Sequence, residues 1–408
     1  MGRVTEVEAE HRHRARSAYD RRRQWVGAAR VLVAIAAVLV ISAGSISAIA
    51  SWQLARTLAA NSVSINNGRP GVAPVAALSG GFNLMLVGAD NAPGQHSWGS
   101  ARQSTQNDVN IVVHVAADHR SGVVLSIPRD LVIDHPQCED PGTQQVFPPQ
   151  QQQPLNTALA RGGLGCAVAT ASHLTGLPIS YAALFSFSST VAMADAVGGV
   201  PVCVSKAIDD PASGLKLPAG RSVITGRTAL AYLRSRHGVG DGSDLARISS
   251  QQAYMSSLMR KTTSSSTLTS PARLYTLAST AAHTVKLSTS LASIRTLVSM
   301  LVAVKDIPTH ELVFVQYPTQ PDPANLNKVI PDSALAPALL RRITADRPVQ
   351  LSHAATGYST TVVHGPKHVS ASHTPRPSPT ATKHQPDALK GLNGQTADQQ
   401  TCSKAFAG

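Results

Sequence analysis

Arg234, Arg236, Arg247, Gln251 and Gln252 bring five planar donor side chains into about twenty residues. Arg234 and Arg236 stand two apart, so an extended backbone aims both guanidinium groups to one side. Ser243 or Asp244 is placed to cap a helix carrying Leu245, Ile248, Met255 and Met259. On that helix Arg247 and Gln251 are four apart and share a face. Several guanidinium forks beside a helix N-terminus make a site for a doubly charged anion, most naturally a phosphate or pyrophosphate. A basic run of this kind is as often a solvated surface, so its neighbours decide its meaning.

The neighbours follow from hydrophobic patterning. Phe82–Gly88, Val109–Val115 and Gly122–Ile127 read as buried strands. A tight turn over Ala116–Ser121 makes the second and third antiparallel partners. If the first is also antiparallel to the second, the end of strand one, the start of strand two and the end of strand three meet at one sheet edge. Those positions hold Asp90, Asp108 and Arg129, beneath a long loop over 91–107. Strand ends are where α/β sheets place ligands, and long loops above them are commonly functional. Two carboxylates facing an arginine-lined anion pocket suggest phosphoryl transfer. Magnesium is usually held by one or two carboxylates together with substrate phosphates. Arginines neutralise the transferring group, and a carboxylate can serve as base on an attacking hydroxyl. Taken singly, Asp90 is a turn cap, Asp108 a polar strand start and Arg129 a surface ion pair; their convergence with the 234–252 cluster favours the chemical role.

Other signals are weaker. Leu184, Phe185 and Phe187 read as core, with an apolar groove for a lipid chain as the alternative. The histidines are scattered without ligand spacing, and neither a GxSxG elbow nor a Walker loop occurs, against a hydrolase elbow or a P-loop enzyme. Further helices are expected over Ala158–Leu174, Ser188–Val197, Gly226–Leu233, 244–261, Leu274–Thr284, Leu291–Val304 and Asp332–Ile343. Strands are expected over Val200–Val204 and His310–Gln316, with a turn at Pro218–Arg221. Strands mixed with helices predict a layered α/β domain over 81–350, a mixed sheet flanked by helices. From 351 to 408 the composition turns to Pro, Ser, Thr and His, as in a disordered tail.

The net charge of +13 would suit nucleic acid in a cytosolic protein. Topology points elsewhere. Residues 31–55 carry no charge, long enough to cross a bilayer at ~20 residues per span. The preceding 1–30 hold eight arginines against four acids, which places the N-terminus in the cytoplasm and the domain outside, after a stalk over 56–80. That core is longer than the ~7–15 residues of a signal peptide, so a single uncleaved anchor in the cell membrane is expected, and no nucleic acid partner. Four cysteines then face an oxidising compartment. Cys138 and Cys166 flank a Gln/Pro-rich insertion (144–154), where a bridge would pin a loop; Cys203 and Cys402 are left to pair, although three connectivities are open.

These residues together resemble the LytR-CpsA-Psr family of cell-envelope phosphotransferases, over roughly 82–262. Leu86-Val-Gly-Ala-Asp90 is similar to its first acidic motif, and Asn107-Asp108-Val-Asn to its Ser-Asp-Thr motif. Leu125-Ser-Ile-Pro-Arg-Asp130 nearly copies a family signature, and Leu155-Asn156-Thr-Ala with Gly162-Gly163 resembles another. Asp195-Ala-Val-Gly-Gly-Val-Pro-Val, Ala231-Tyr-Leu-Arg-Ser-Arg-His and Arg247-Ile-Ser-Ser-Gln-Gln follow in the family's order. The resemblance implies an apolar tunnel for a polyprenyl chain and transfer of a glycopolymer from a polyprenyl-pyrophosphate carrier to a peptidoglycan hydroxyl, with magnesium. It implies that Asp90 and Asp108 act at the metal or the attacking hydroxyl, while Arg129, Arg234, Arg236, Arg247 and Gln251 hold the pyrophosphate. The chain departs from the family at Gln106, often an arginine, for which Arg102 is a candidate substitute. It departs again at Pro154-Leu155, where a lysine is usual. A pyrophosphate hydrolase and a non-catalytic carrier-binding scaffold are the competing expectations.

Overall fold

The computed structural model describes residues 3–65, 80–90, 105–264, 270–351, 357–363 and 388–406. They divide into two units, Met1–Arg56 and Thr57–Gly408. Helix α1 (Arg3–Ala60) begins well before the apolar stretch. The basic segment 1–30 is helical from Arg3, in keeping with its Ala, Glu and Arg content. Within α1, Leu32–Ala60 is the one stretch among the described residues long and apolar enough to cross a membrane, with mean hydropathy 2.5. Its 29 residues span roughly 44 Å at 1.5 Å per residue, against a ~30 Å hydrocarbon core.

In the second unit, eight strands among the described residues form a mixed sheet: β1 (Ser62–Val63), β2 (Phe82–Ala89), β3 (Asn107–Val115), β4 (Gly122–Ile127), β5 (Tyr181–Phe185), β6 (Lys286–Ser288), β7 (Leu312–Gln316) and β8 (Gly394–Thr396). Their order is β1-β6-β5-β2-β3-β4-β7-β8. As expected, β2, β3 and β4 are successive antiparallel neighbours. β5, which the sequence reading passes over, runs parallel to β2 and sets Phe185 beside Gly88. The folded unit also starts earlier than residue 81, because β1 joins the sheet against β6.

Helices α2 (Ala158–Thr175), α3 (Phe187–Ala196), α4 (Gly226–Arg234), α5 (Asp244–Thr262), α6 (Pro271–Thr284), α7 (Ile294–Lys305) and α8 (Leu335–Thr344) complete the layers. Side chains alternate along β2: Met85, Val87 and Ala89 are buried, while Leu86 and Gly88 are only partly so. The buried set packs with Val112, Leu125 and Val315 against Leu164, Ala167 and Ala171 of α2 and Leu339 and Ile343 of α8. A second core joins α3, α4 and α5 to a four-stranded sheet of Gly220–Ile224, Val200–Val204, Thr401–Ser403 and Thr360–Val362. Pro218–Arg221, expected as a turn, therefore leads directly into a strand antiparallel to Val200–Val204.

Both expected disulfides are formed, Cys138–Cys166 and Cys203–Cys402. The Gln/Pro-rich insertion is not a loose loop but two short antiparallel pairings, Cys138–Asp140 with Gln145–Phe147 and Val132–His135 with Gln150–Pro154. α2 is kinked at Gly162–Gly163, where Gly163 takes φ 66°, a backbone region open to glycine. A Cβ on Gly162 would lie 2.5 Å from Cys166 Sγ, so glycine leaves room for the bridge. The expectation of one disordered tail over 351–408 is corrected. The Pro/Ser/Thr/His-rich part lies outside the described residues, but Thr360–Val362, β8 and Thr401–Ser403 are paired strands. The Cys203–Cys402 bridge ties this return segment to the second sheet, and β8 caps the edge of β7.

Candidate active site

The sheet edge assembles as the strand ends require. β3 starts at Asn107, β4 ends at Ile127, and β2 ends one residue before Asp90. Asp90 is buried, and its Oδ1 accepts the Gln106 backbone N–H at 2.8 Å while its own N–H donates to the Gln106 carbonyl at 3.0 Å. Next along the chain, Asn107 is fully buried; it donates to the Leu155 carbonyl and accepts from the Leu159 N–H, both at 3.0 Å. The Asn156 N–H donates to the Arg129 carbonyl at 3.0 Å. The Leu155-Asn156 motif thus braces both β3 and Arg129, two residues beyond β4, which places Asp108 and Arg129 side by side.

Arg129 Nη1 donates to Asp108 Oδ1 at 2.7 Å. Its Nε lies 3.4 Å from both Asp130 Oδ2 and Asp244 Oδ1. Burial opposes the charge on Arg129, but the Asp108 and Asp244 carboxylates outweigh it and raise its pKa. Arg247 Nη2 pairs with Asp244 Oδ1 at 2.7 Å and donates to the Asp108 carbonyl at 3.0 Å. Asp244 is the first residue of α5, after the Ser243 side chain that accepts the Ala246 N–H, so its carboxylate also faces the positive helix end. Nε of Arg129 and of Arg247 is buried with no aligned hydrogen-bond partner among the described residues. Each guanidinium is therefore hydrogen-bonded through a terminal nitrogen, with its Nε left over.

Arg234 enters from the last turn of α4, with its guanidinium carbon 4.5 Å from the Phe187 ring centre. Its pKa is lowered, first by burial and then by Arg247, against the pull of Asp108, Asp90 and Asp210. Gln251 donates to the Leu233 carbonyl at 2.9 Å, so its amide secures the end of α4. Arg236 departs from the expectation. Arg234 ends a helix and Ser235 follows with extended backbone, so the all-extended spacing expected of the two arginines does not occur. Arg236 Nε donates to the Gly242 carbonyl at 3.2 Å, and its charge acts on Asp130. Arg102 and most of the 91–107 loop lie outside the described residues.

Behind this charged group opens a cavity of about 250 Å³. Asp108, Arg234, Arg247 and Gln251 line one part of it. The rest is apolar, contributed by β2, β3, α3, α4 and α5, with Leu86, Ile111, Met193, Leu230, Met255 and Leu258 among its walls. Phe185 and Phe187 line it too, as the groove alternative has it, with Phe187 itself buried, while Leu184 packs on the main core as the core reading has it. The cavity is a consequence of strand alternation: Leu86 and Gly88 point away from the α2 side, and α3 to α5 do not close over them.

Two charged residues take places that the sequence alone assigns to neither. Asp130 pairs with Lys328 at 2.6 Å, and Lys328 arrives on a hairpin of Thr319–Asp322 and Asn325–Pro331. Asp130 has a lowered pKa: burial works against ionisation, and the Lys328 hydrogen bond and the Arg129 charge overcome it. The hairpin's turn, Asp322-Pro-Ala-Asn325, was its available signal. No group of three metal-ligating side chains occurs among the described residues. Asp90 and Asp108 nevertheless supply hard oxygen donors, which fits magnesium, an ion that takes one or two carboxylates and completes its shell with phosphates and water.

The pattern of the LytR_cpsA_psr family matches residues 50–333. The cell wall biosynthesis protein LcpA of Corynebacterium glutamicum is 31% identical over 274 residues, which cover 61% of this chain and 52% of LcpA. The chain thus spans about half the length of that relative. The polyisoprenyl-teichoic acid–peptidoglycan teichoic acid transferase TagT of Bacillus subtilis is 26% identical over 268 residues, 64% of this chain and 77% of TagT. Among solved structures, protein gbs0355 from Streptococcus agalactiae superposes with a TM-score of 0.53 at 21% identity, over 66% of this chain and 90% of that one, which shows a shared fold.

Proposed function

The chain belongs to the LytR-CpsA-Psr family, and on that premise we propose that it transfers a glycopolymer from a polyprenyl-pyrophosphate carrier to a hydroxyl of peptidoglycan. The observation that carries this reading is one cavity with two chemistries: apolar walls on α3 to α5 and a cluster of Asp108, Arg234 and Arg247 at one part. A lipid diphosphate has the same division. TagT, whose name assigns it teichoic acid transfer to peptidoglycan, is the relative that supports the reaction class.

The lipid chain lies among Leu86, Met193, Met255 and Leu258, and the diphosphate meets Arg129, Arg234 and Arg247. Arg236, 3.2 Å from the Gly242 carbonyl, shapes the adjoining loop. The acceptor hydroxyl attacks the phosphorus that carries the glycan. A new oxygen–phosphorus bond forms, the bond to the bridging oxygen breaks, and polyprenyl phosphate leaves. The hydroxyl proton passes to a carboxylate of the Asp90–Asp108 pair. Arginines fixed before the reaction stabilise the charge that builds on the phosphate oxygens. Magnesium, held by Asp90 and Asp108, would add further neutralisation of those oxygens. The eight arginines ahead of the apolar span support a cytoplasmic N-terminus and an exterior domain in the cell membrane, and two disulfides suit that oxidising side.

The test uses the full-length protein in detergent with a short-chain polyprenyl-pyrophosphate glycan, peptidoglycan oligomers and magnesium. Mass spectrometry should find the glycan joined to the acceptor through one phosphate, with Asp108→Asn inactive and folded. Free phosphate or pyrophosphate without joined product would make the protein a hydrolase. Carrier bound without turnover would make it a scaffold.

A further inference from the structure

Two cavities flank α5. Gln251, Tyr254, Met255 and Leu258 face the one described above. Ala253, Ser257, Arg260 and Lys261 line a second, of about 420 Å³, on the other side of the helix. That volume falls within the range of small-molecule sites, and a helix ~10–12 Å wide stands between the two.

Three cations line the second cavity, Arg221, Arg260 and Lys261, and no carboxylate does so among the described residues. Each cation is anchored by neutral acceptors. Arg221 Nη2 donates to Gln400 Oε1 at 2.6 Å. Arg260 Nη1 donates to the Ala397 carbonyl and Ser256 Oγ, both at 2.6 Å. Lys261 Nζ donates to the carbonyls of Gly198 at 2.7 Å and Gly199 at 2.5 Å. Neutral acceptors fix Arg221 and Arg260 without cancelling their charge. The pKa of Arg260 is lowered by burial and by Arg221, with Asp398 alone opposing; that of Lys261 is lowered by burial and by Arg273. Positive charge is thus concentrated here against its own repulsion. The remaining wall mixes apolar surface at Pro201 and Val202 with the Thr401 and Ser257 hydroxyls. Sugar rings present the same mixture of apolar faces and hydroxyls.

We propose that this cavity binds an anionic saccharide, a sugar whose phosphate or carboxylate meets Arg221, Arg260 and Lys261. The chain's own following segment is not complementary, since residues 364–386 contain Lys367, Arg376 and Lys383 and no acid. One wall is the return segment around Gln400 and Thr401, bonded through Cys402 to Cys203, so the disulfide holds the cavity's shape. The inference does not depend on the transfer reading, because the site lies across α5 from the reaction cavity.

Isothermal titration of the full-length protein in detergent tests it with three probes: a hexose phosphate, a hexuronate oligosaccharide and a neutral chitooligosaccharide. At least one anionic probe should bind, the neutral one should not, and affinity should fall with added salt. Arg221→Gln should weaken binding about tenfold, the loss of one charge-assisted contact, while Arg234→Gln leaves it unchanged. Arg221 is exposed, so its variant keeps the fold; a melting curve checks this. Binding of the hexose phosphate alone identifies a phosphate site, and of the hexuronate alone a carboxylate site. Binding of neither, equal binding of the neutral sugar, or binding lost in Arg234→Gln and kept in Arg221→Gln would overturn the proposal.

Discussion

Replacing Arg129 by lysine keeps the charge and removes the fork. In the wild type Nη1 holds Asp108 at 2.7 Å while Nε stands 3.4 Å from Asp130 and from Asp244. An ammonium is one point on a flexible stem and serves one of these carboxylates. Removing one partner of a buried pair costs roughly 3–5 kcal/mol when nothing compensates. Compensation is present here, because Asp130 keeps Lys328 at 2.6 Å and Asp244 keeps Arg247 at 2.7 Å. The lysine retains a charge for Asp108, so the expected loss is only about 1–2 kcal/mol, a few degrees in melting temperature. Catalysis should suffer far more. Loss of one preorganised donor at developing charge costs about 10²–10³ in kcat. Initial rates of phosphodiester formation at saturating carrier, read beside thermal melts, separate the two effects. Arg129→Lys should be about a hundredfold slower with the fold retained, and Arg129→Ala slower still and less stable. Turnover within tenfold of wild type in Arg129→Lys would refute the requirement for the fork, and with it the placing of the diphosphate against Arg129.

Four further outcomes are expected. Lys328→Ala should destabilise by roughly 1 kcal/mol at pH 7. The lowered pKa of Asp130 contributes stability above the ordinary carboxylate range and loses it as pH falls through the folded value, so the difference should shrink steadily in urea melts taken below that range; an equal loss at neutral and acid pH would show that only the lysine stem mattered. His135 is buried, and burial first, then Arg161, lowers its pKa to about 4. The unfolded chain takes up that proton near pH 6.5 and the folded chain near 4, so stability present above pH 6.5 falls away between the two, by up to roughly 3 kcal/mol; His135→Leu should flatten that slope, and an unchanged slope would clear His135 of the role. Leu258→Trp should fill the apolar cavity and raise KM for the carrier tenfold or more with the melt little changed, whereas an unaltered KM would place the lipid elsewhere. Cys138→Ala with Cys166→Ala reopens a 28-residue separation and should cost about 3–4 kcal/mol in denaturant titration on the chain-entropy model; a loss below about 1 kcal/mol would mean that the hairpins hold the insertion alone.

The legible part of the fold was the part set by short-range order. β2, β3 and β4 follow one another antiparallel, and one tight turn fixes the last pair. The meeting of Asp90, Asp108 and Arg129 therefore needed only strand ends and one assumed pairing. α5 was equally local, with Ser243 as its cap and apolar residues at helical spacing. What stayed hidden depends on distant partners. β5 reads as core in isolation; only its parallel pairing with β2 turns Phe185 toward the cavity. Lys328 meets Asp130 across 198 residues, and nothing near either residue announces it. The extended backbone expected through Arg234 and Arg236 fails for a local reason, since Arg234 still belongs to α4.

The departure at Gln106 can be weighed on the same terms. Asp90 is held at this point by the backbone of Gln106, through an N–H donated to Oδ1 at 2.8 Å and a carbonyl accepting at 3.0 Å. Any residue at 106 with the same backbone supplies both contacts. The Gln106 side chain accepts from Asn156 Nδ2 at 3.4 Å, and Asn156 keeps its own N–H on the Arg129 carbonyl. Exchange of an arginine for glutamine therefore removes one charge from the rim without disturbing the aim of Asp90 or Arg129. Its effect should fall on affinity for the diphosphate and not on the geometry of transfer. Gln106→Arg is expected to lower KM for the carrier severalfold and leave kcat within about twofold, since a peripheral cation adds uniform binding to ground and transition states alike. A rise in kcat without a change in KM would show instead that residue 106 acts on the reacting phosphate.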